Sequence, residues 1–217
     1  MPGGYRKVSE LPQIIPVFPL DGAMLLPGGQ LPLQIFEPRY LNMIDDAMRG
    51  ERIVGMIQTK GDEDLARPAL AGVGCAGRIT AYAETGDERY LITLSGVCRF
   101  AAGDELQAAT PYRQVRPDYA RFAADLEADE PDCRLNRDAF LRDLRRYLDR
   151  KGLALEWEAA RKAPANALVN SLAMGLPLDR AEKQALIEAP TIAERAEVLS
   201  ALLEIDAAGD DEPSPLQ

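Results

Sequence analysis

Histidine is absent from the whole 217-residue chain. That removes the commonest general base, the usual base of a catalytic triad and the commonest zinc ligand together. Cysteine is scarce: Cys75, Cys98 and Cys133 lie far apart, with no C-x-x-C pair among them. An odd count, and an N-terminus ("MPGGYRKVSELPQ") without the apolar core of a leader, read as buried thiols in a reduced compartment rather than a disulfide framework. The expected location is cytoplasmic. No apolar run approaches the roughly 18 residues needed to cross a bilayer, so no membrane partner is expected. Positive charge is also short, with 25 Lys and Arg against 35 Asp and Glu, a net charge of -10 and no basic run. That balance argues against a nucleic-acid partner. Aromatic residues make up only 6% of the chain, and Trp157 is the single tryptophan.

Catalytic templates are missing as well. There is no G-x-x-x-x-G-K-[ST] phosphate loop and no G-x-S-x-G elbow. A serine–lysine dyad needs a desolvated lysine beside the serine, but Ser171 and Lys183 fall on different expected helices. Lys183 sits in polar "DRAEKQ" and reads as a solvated lysine. The adjacent pairs Asp45-Asp46 and Asp210-Asp211 read as solvated charge, since helix neighbours point apart. Asp62, Glu63 and Asp64 lack calcium-loop spacing. No cofactor and no metal are expected.

What is present is a β-rich first half. "QIIPVFPL" (13–20) reads as a strand, and Pro16 and Pro19 place it at an edge or a bulge. "LLPGGQLPLQIF" places a turn at Pro27-Gly28-Gly29 before alternating Leu31, Leu33 and Ile35. In "EPRYLNMIDDAMRG", Pro38 suits a first helical position. Tyr40, Leu41, Ile44, Ala47 and Met48 recur at helical spacing, and Gly50 ends the run. "RIVGMIQT" (52–59) is a further short strand.

"GVGCAG" (72–77) fits the dinucleotide pattern G-x-G-x-x-G letter for letter. That chemistry needs a helix N-terminus after the glycines to meet a pyrophosphate. The following "RITAYAET" instead alternates with period two, and "GDE" then leads into "RYLITLSGVCRF". The glycines therefore open a long hairpin from about Val73 to Phe100, with Gly74 and Gly77 where a side chain would not fit. One more strand follows in "ELQAATPYRQVRP".

Beyond it, "DYARFAADLEADEPD" is acidic and weakly patterned, and reads as a linker or peripheral segment. Then come helical stripes: Phe140, Leu141, Leu144 and Leu148 before Gly152, and Leu168, Val169, Leu172 and Ala173. Asp179 with Glu182 and Thr191 with Glu194 form N-cap signatures, the second ahead of Leu199, Leu202 and Leu203. The expected layout is α+β: a β-rich lobe with one helix over 1–117, a helical lobe over 118–205 and a disordered acidic tail over 206–217.

"IIPVFPLDGAMLLPGGQLPLQIFEPRYLNMIDDAM" resembles the opening of the Lon substrate-binding domain family, the N-terminal domain of Lon-type ATP-dependent proteases. "VGCAGRI" (73–79), "GVCRF" (96–100) and "LPLDRAEKQALIEAPTIAERAEVLSALL" are similar to its later blocks. The resemblance spans about 12–205, with a weak middle around 118–160. It implies a PUA-like β-barrel lobe followed by an α-helical bundle lobe. It implies binding of unfolded or apolar polypeptide without catalysis, as a stand-alone recognition domain, because ATPase and protease motifs are missing. A separate ATP-dependent protease or a chaperone would be the partner. The fold also leaves an RNA-binding PUA-like module as the alternative function. Within "IFEPRY" two readings stand. Phe36 and Tyr40 pack beneath the helix, with Arg39 paired to Glu37 or Asp45; or Pro32, Phe36, Arg39 and Tyr40 border a polypeptide groove. Trp157, next to Leu155, is either a wedge between lobes or an exposed anchor.

Overall fold

A computed structural model describes residues 4–61, 67–127 and 135–208. Asp62, Glu63, Asp64, Cys133, Asp210, Asp211 and the acidic tail from 209 lie outside the described residues. The chain divides into two compact units, Met1–Glu130 with Pro177–Ile187, and Pro131–Leu176 with Glu188–Gln217.

The first unit is built on β1 (Ile15–Pro19), β2 (Gln30–Ile35), β3 (Ile53–Thr59), β4 (Leu70–Glu84), β5 (Tyr90–Glu105) and β6 (Arg113–Asp118). The strand order is β2-β5-β4-β3-β1-β6, and β5 also pairs with β6. Five strands therefore close on themselves. β5 is long enough to serve two neighbours, meeting β2 along Tyr90–Ser95 and β6 from Ala101 onward. Closure leaves those five strands without a free edge, and β2, paired only with β5, is the edge strand. Ile15, Val17, Val54, Met56, Leu94, Phe100 and Val115 are all buried.

β1 is not an edge strand, contrary to the reading of its prolines. It pairs with β6 over Ile15–Val17 and with β3 over Val17–Pro19. Pro16 thus faces a partner on the β6 side only and Pro19 on the β3 side only. Each missing N–H falls where one ladder has not begun or has already ended.

The hairpin expected from the glycine stretch is β4–β5, with Glu84 opposite Tyr90. A Cβ on Gly74 would come within 2.6 Å of the Met56 carbonyl oxygen and 2.8 Å of the Phe100 ring. A register shift falls between Ala76 and Gly77.

Between β2 and β3 lies α1 (Pro38–Arg49), with proline opening the first turn and Gly50 at its C-cap. Its buried stripe is Tyr40, Met43, Ile44 and Ala47. Leu41 and Met48 are only half-buried, so the apolar face is rotated from the expected one by Met43. Asp45 and Asp46 point apart, but they are not merely solvated. Asp45 accepts a hydrogen bond from the Tyr90 hydroxyl (3.0 Å) and Asp46 one from that of Tyr112 (2.9 Å).

The segment read as a linker or peripheral segment forms, in its described part, a 3-10 turn, Ala120–Leu126, with Phe122 and Leu126 buried. Helix α5 (Arg180–Glu188) returns late in sequence to this strand-bearing unit. Gln58 donates to the Arg180 carbonyl at 3.0 Å and to Gln184 at 3.1 Å. Lys183 is buried rather than solvated, and its Nζ donates to the Gly22 carbonyl at 2.6 Å. Reciprocal bonds between Asp179 and Glu182 cap α5, as the sequence indicates.

The second unit holds α2 (Arg137–Lys151), α3 (Trp157–Lys162), α4 (Ala165–Gly175) and α6 (Ile192–Ala208). Asn136 caps α2, and Gly152 ends it at a φ of 64°, a conformation glycine adopts without penalty. Phe140, Leu144, Leu148, Leu168, Val169, Leu172, Ala173, Leu199 and Leu203 form the buried stripes. Leu141 and Leu202 are half-buried.

Candidate functional site

Pro38 fixes a sharp passage from β2 into α1, and that passage leaves Phe36 outside the core at 62% exposure. Its only ring contact among the described residues is the Arg89 guanidinium, 5.9 Å from the ring centre. Leu91 is the other large apolar side chain left open on this part of the barrel, at 47% exposure. Strand alternation puts it there: its neighbour Ile92 points inward and is buried.

Pairing then assembles one outward face. Pro32 lies opposite Thr93, Gln34 opposite Leu91, and Ala83 opposite Leu91 on the other side. The result is a shallow, mostly apolar depression of about 460 Å³ that includes Pro32, Ala81, Tyr82 and Leu91. The Tyr82 and Tyr90 rings, 5.1 Å apart, brace its β4–β5 wall.

Arg39 and Tyr40 do not join that depression. They line a separate, more polar cavity of about 420 Å³ with Arg67, Tyr112 and Arg113. Tyr40 is buried, its ring 4.3 Å from Phe18, and burial raises its phenol above the ordinary value. Arg39 lies over the Tyr40 ring at 4.5 Å and pairs with Glu37 at 2.8 Å. Glu105 is shared by the other two cations of the cavity. Arg113 binds it at 2.6 Å, Arg67 binds it as well, and these two cations hold its carboxyl down at about 2. The structure therefore separates the four "IFEPRY"-region candidates. Pro32 and Phe36 are open, Arg39 is paired, and Tyr40 is a packing residue. Leu91 and Tyr82 were missed by the sequence reading, although the outward phase of Leu91 in an alternating strand was legible.

Trp157 is half-buried at the start of α3, with the Arg145 guanidinium 4.5 Å above its ring. Leu155 lines a neighbouring apolar pocket of the helical unit.

Among the described residues, Cys75, Cys98 and Lys183 are held in buried surroundings. Burial drives the Cys75 thiol well up and the Cys98 thiol to about 12, so neither forms a thiolate near neutrality. Desolvation lowers Lys183, but its amine is bonded to the Gly22 carbonyl. Ser171 is exposed on α4.

The family model for the ATP-dependent protease La (LON) substrate-binding domain matches residues 14–204. The chain belongs to this family. Lon protease 2 of Myxococcus xanthus is 29% identical over 119 residues, covering 54% of this chain and 14% of that protein. Lon protease of Roseiflexus castenholzii is 24% identical over 196 residues, covering 90% of this chain and 24% of that protein. The chain thus spans a quarter or less of these relatives' length. Among solved structures, a Lon N-terminal domain protein from Xanthomonas campestris superposes with a TM-score of 0.61 at 22% identity, covering 87% of this chain and 97% of that one. The N-terminal domain of a Mycobacterium avium complex Lon protease gives 0.59 at 16% identity, covering 88% and 98%. These likenesses establish the α+β fold of a Lon N-terminal domain. Membership in a substrate-binding family directs attention to the open apolar face rather than to the inert thiols.

Proposed function

We propose that this Lon substrate-binding domain recognises unfolded or apolar polypeptide segments without cleaving them, and presents them to a separate ATP-dependent protease or chaperone. The observation that carries this reading is Leu91, a large apolar side chain left open in the Pro32–Tyr82 depression, with Phe36 exposed just past the end of β2. Exposed apolar side chains of this kind mark interaction sites on soluble domains. Covering both would contribute about 2–3 kcal/mol, which suits modest affinity and little sequence preference. The RNA-binding alternative has the net charge of -10 against it.

The test is fluorescence anisotropy with a labelled unfolded polypeptide, its folded form as control, and a gel afterwards to detect cleavage. Saturable binding of the unfolded form alone, with no cleavage, is expected. Replacing Phe36→Asp with Leu91→Asp should weaken it by at least about tenfold. Equal binding by the double variant would overturn this surface assignment.

A further inference from the structure

The helical unit carries a surface of opposite charge to the chain as a whole. In a protein of net charge -10, Arg137, Arg142, Arg145 and Arg161 gather with Leu141 and Trp157 around a cleft of about 540 Å³. Arg137, Leu141 and Arg145 recur every fourth residue of α2, so they share one helix face.

The cleft is held in shape before any ligand arrives. Arg137 donates to the carbonyls of Ala160 (3.0 Å), Arg161 (2.9 Å) and Ala163 (2.7 Å), which ties α2 to the C-terminal end of α3. Arg145 rests on the Trp157 ring at 4.5 Å. The other cations of these two helices have carboxylate partners: Arg146 pairs with Asp143, Arg150 and Lys151 share Asp206, and Lys162 pairs with Glu158. Arg142 and Arg161 are exposed and, among the described residues, have no carboxylate partner. Two free guanidinium groups beside a fixed tryptophan provide the chemistry for a carboxylate next to an apolar side chain. The Arg137-bonded residues Ala160 and Ala163 also border an apolar pocket of about 430 Å³, with Leu153 at its rim 41% exposed.

We infer that this face binds acidic polypeptide segments, with side-chain carboxylates on Arg142 and Arg161 and an adjacent apolar side chain against Trp157 or in the leucine–alanine pocket. The inference deepens the reading of the domain as a polypeptide binder and names a class of segment: acidic residues interspersed with apolar ones. A phosphate polymer matches the surface less well. It has nothing to place in the neighbouring apolar pocket.

The test uses the full chain and a short labelled peptide in which glutamates flank leucine and phenylalanine, compared with its glutamine counterpart. The acidic peptide should bind tighter, and its binding should weaken as salt rises through physiological ionic strength, where the screening length is about 8 Å. Arg142→Gln with Arg161→Gln removes exposed, unpaired groups. It should cost the acidic peptide about tenfold while leaving the folded circular dichroism unchanged. Arg142→Gln with Arg161→Gln should leave a neutral unfolded polypeptide bound as before, while Phe36→Asp with Leu91→Asp should weaken it, so the two surfaces can fail independently. Equal affinity for the glutamate and glutamine peptides would overturn the inference. So would tighter, arginine-dependent binding of inorganic polyphosphate or an RNA oligonucleotide.

Discussion

The Arg99 guanidinium meets the Asp125 carboxylate edge-on, Nε to Oδ2 at 2.9 Å and one terminal nitrogen to Oδ1 at 2.8 Å, with both side chains almost out of water. Asp125 also accepts from the Arg99 backbone N–H at 2.9 Å, and a further guanidinium nitrogen donates to the Ile187 carbonyl at 3.2 Å. The Phe122 ring lies 4.6 Å under the cation. One strand residue thereby anchors both the 3-10 turn after β6 and helix α5.

Breaking that pair from one side strands a buried charge. Asp125→Ala should therefore destabilise the fold by about 3–5 kcal/mol in urea denaturation. Arg99→Met combined with Asp125→Leu should recover most of the loss, because an apolar pair of similar volume carries no desolvation penalty. A loss below about 1 kcal/mol for Asp125→Ala would mean the pair contributes no more than a surface one.

Glu105 makes the fold sensitive to acid. Arg113 and Arg67 hold its folded pKa at about 2, below the ordinary carboxylate value of about 4.3. A carboxylate with a depressed folded pKa contributes its stabilisation in full above the unfolded value. That contribution is lost as pH falls from about 4 towards 2. Glu105→Gln should be less stable than the parent near neutrality, and the difference should close across that window. A stability gap that stays constant from pH 7 to pH 2 would contradict this assignment.

The buried thiols should be chemically silent in the folded chain. In a Cys133→Ala background, Cys75 and Cys98 should resist alkylation by iodoacetamide at pH 8 and react fully once urea unfolds the protein. The Cys98 thiol is pushed to about 12 by burial, so the reactive thiolate is a minor form at that pH. Rapid labelling of the native protein at either residue would show a reactive cysteine.

Gly74→Ala tests how closely β3 approaches β4 at the glycine stretch. The new Cβ would press on the Met56 carbonyl and the Phe100 ring, at 2.6 Å and 2.8 Å. A destabilisation of about 1–3 kcal/mol is expected in thermal or urea unfolding. Unchanged stability would mean that β3 and β4 can separate to admit the methyl group.

Short-range features were legible in the chain. Pro38 and Gly50 bracket α1, Asp179 and Glu182 cap α5, and the alternation after Gly77 specifies a strand where the letters suggested a nucleotide loop. Phe122 and Leu126, one helical turn apart, were legible in principle but masked by the acidic residues around them. On the candidate surface, Phe36 was identified, but nothing local distinguished it from Tyr40, four residues on. Their fates diverge because Phe18 of β1 packs on the Tyr40 ring, whereas among the described residues the Phe36 ring meets only the Arg89 guanidinium.

By itself, then, the sequence determined the α+β layout, the hairpin, the helix ends and the family, because each depends on residues within a few positions of one another or on contiguous motifs. Only the tertiary structure decided that the barrel closes through β5 and β6, that Lys183 is buried on Gly22 and that Arg99 holds Asp125. The last two outcomes depend on buried charges finding partners 161 and 26 residues away. A polar residue in a polar stretch carries no local mark of such a partner. Desolvation and pairing arise only when the chain folds back on itself.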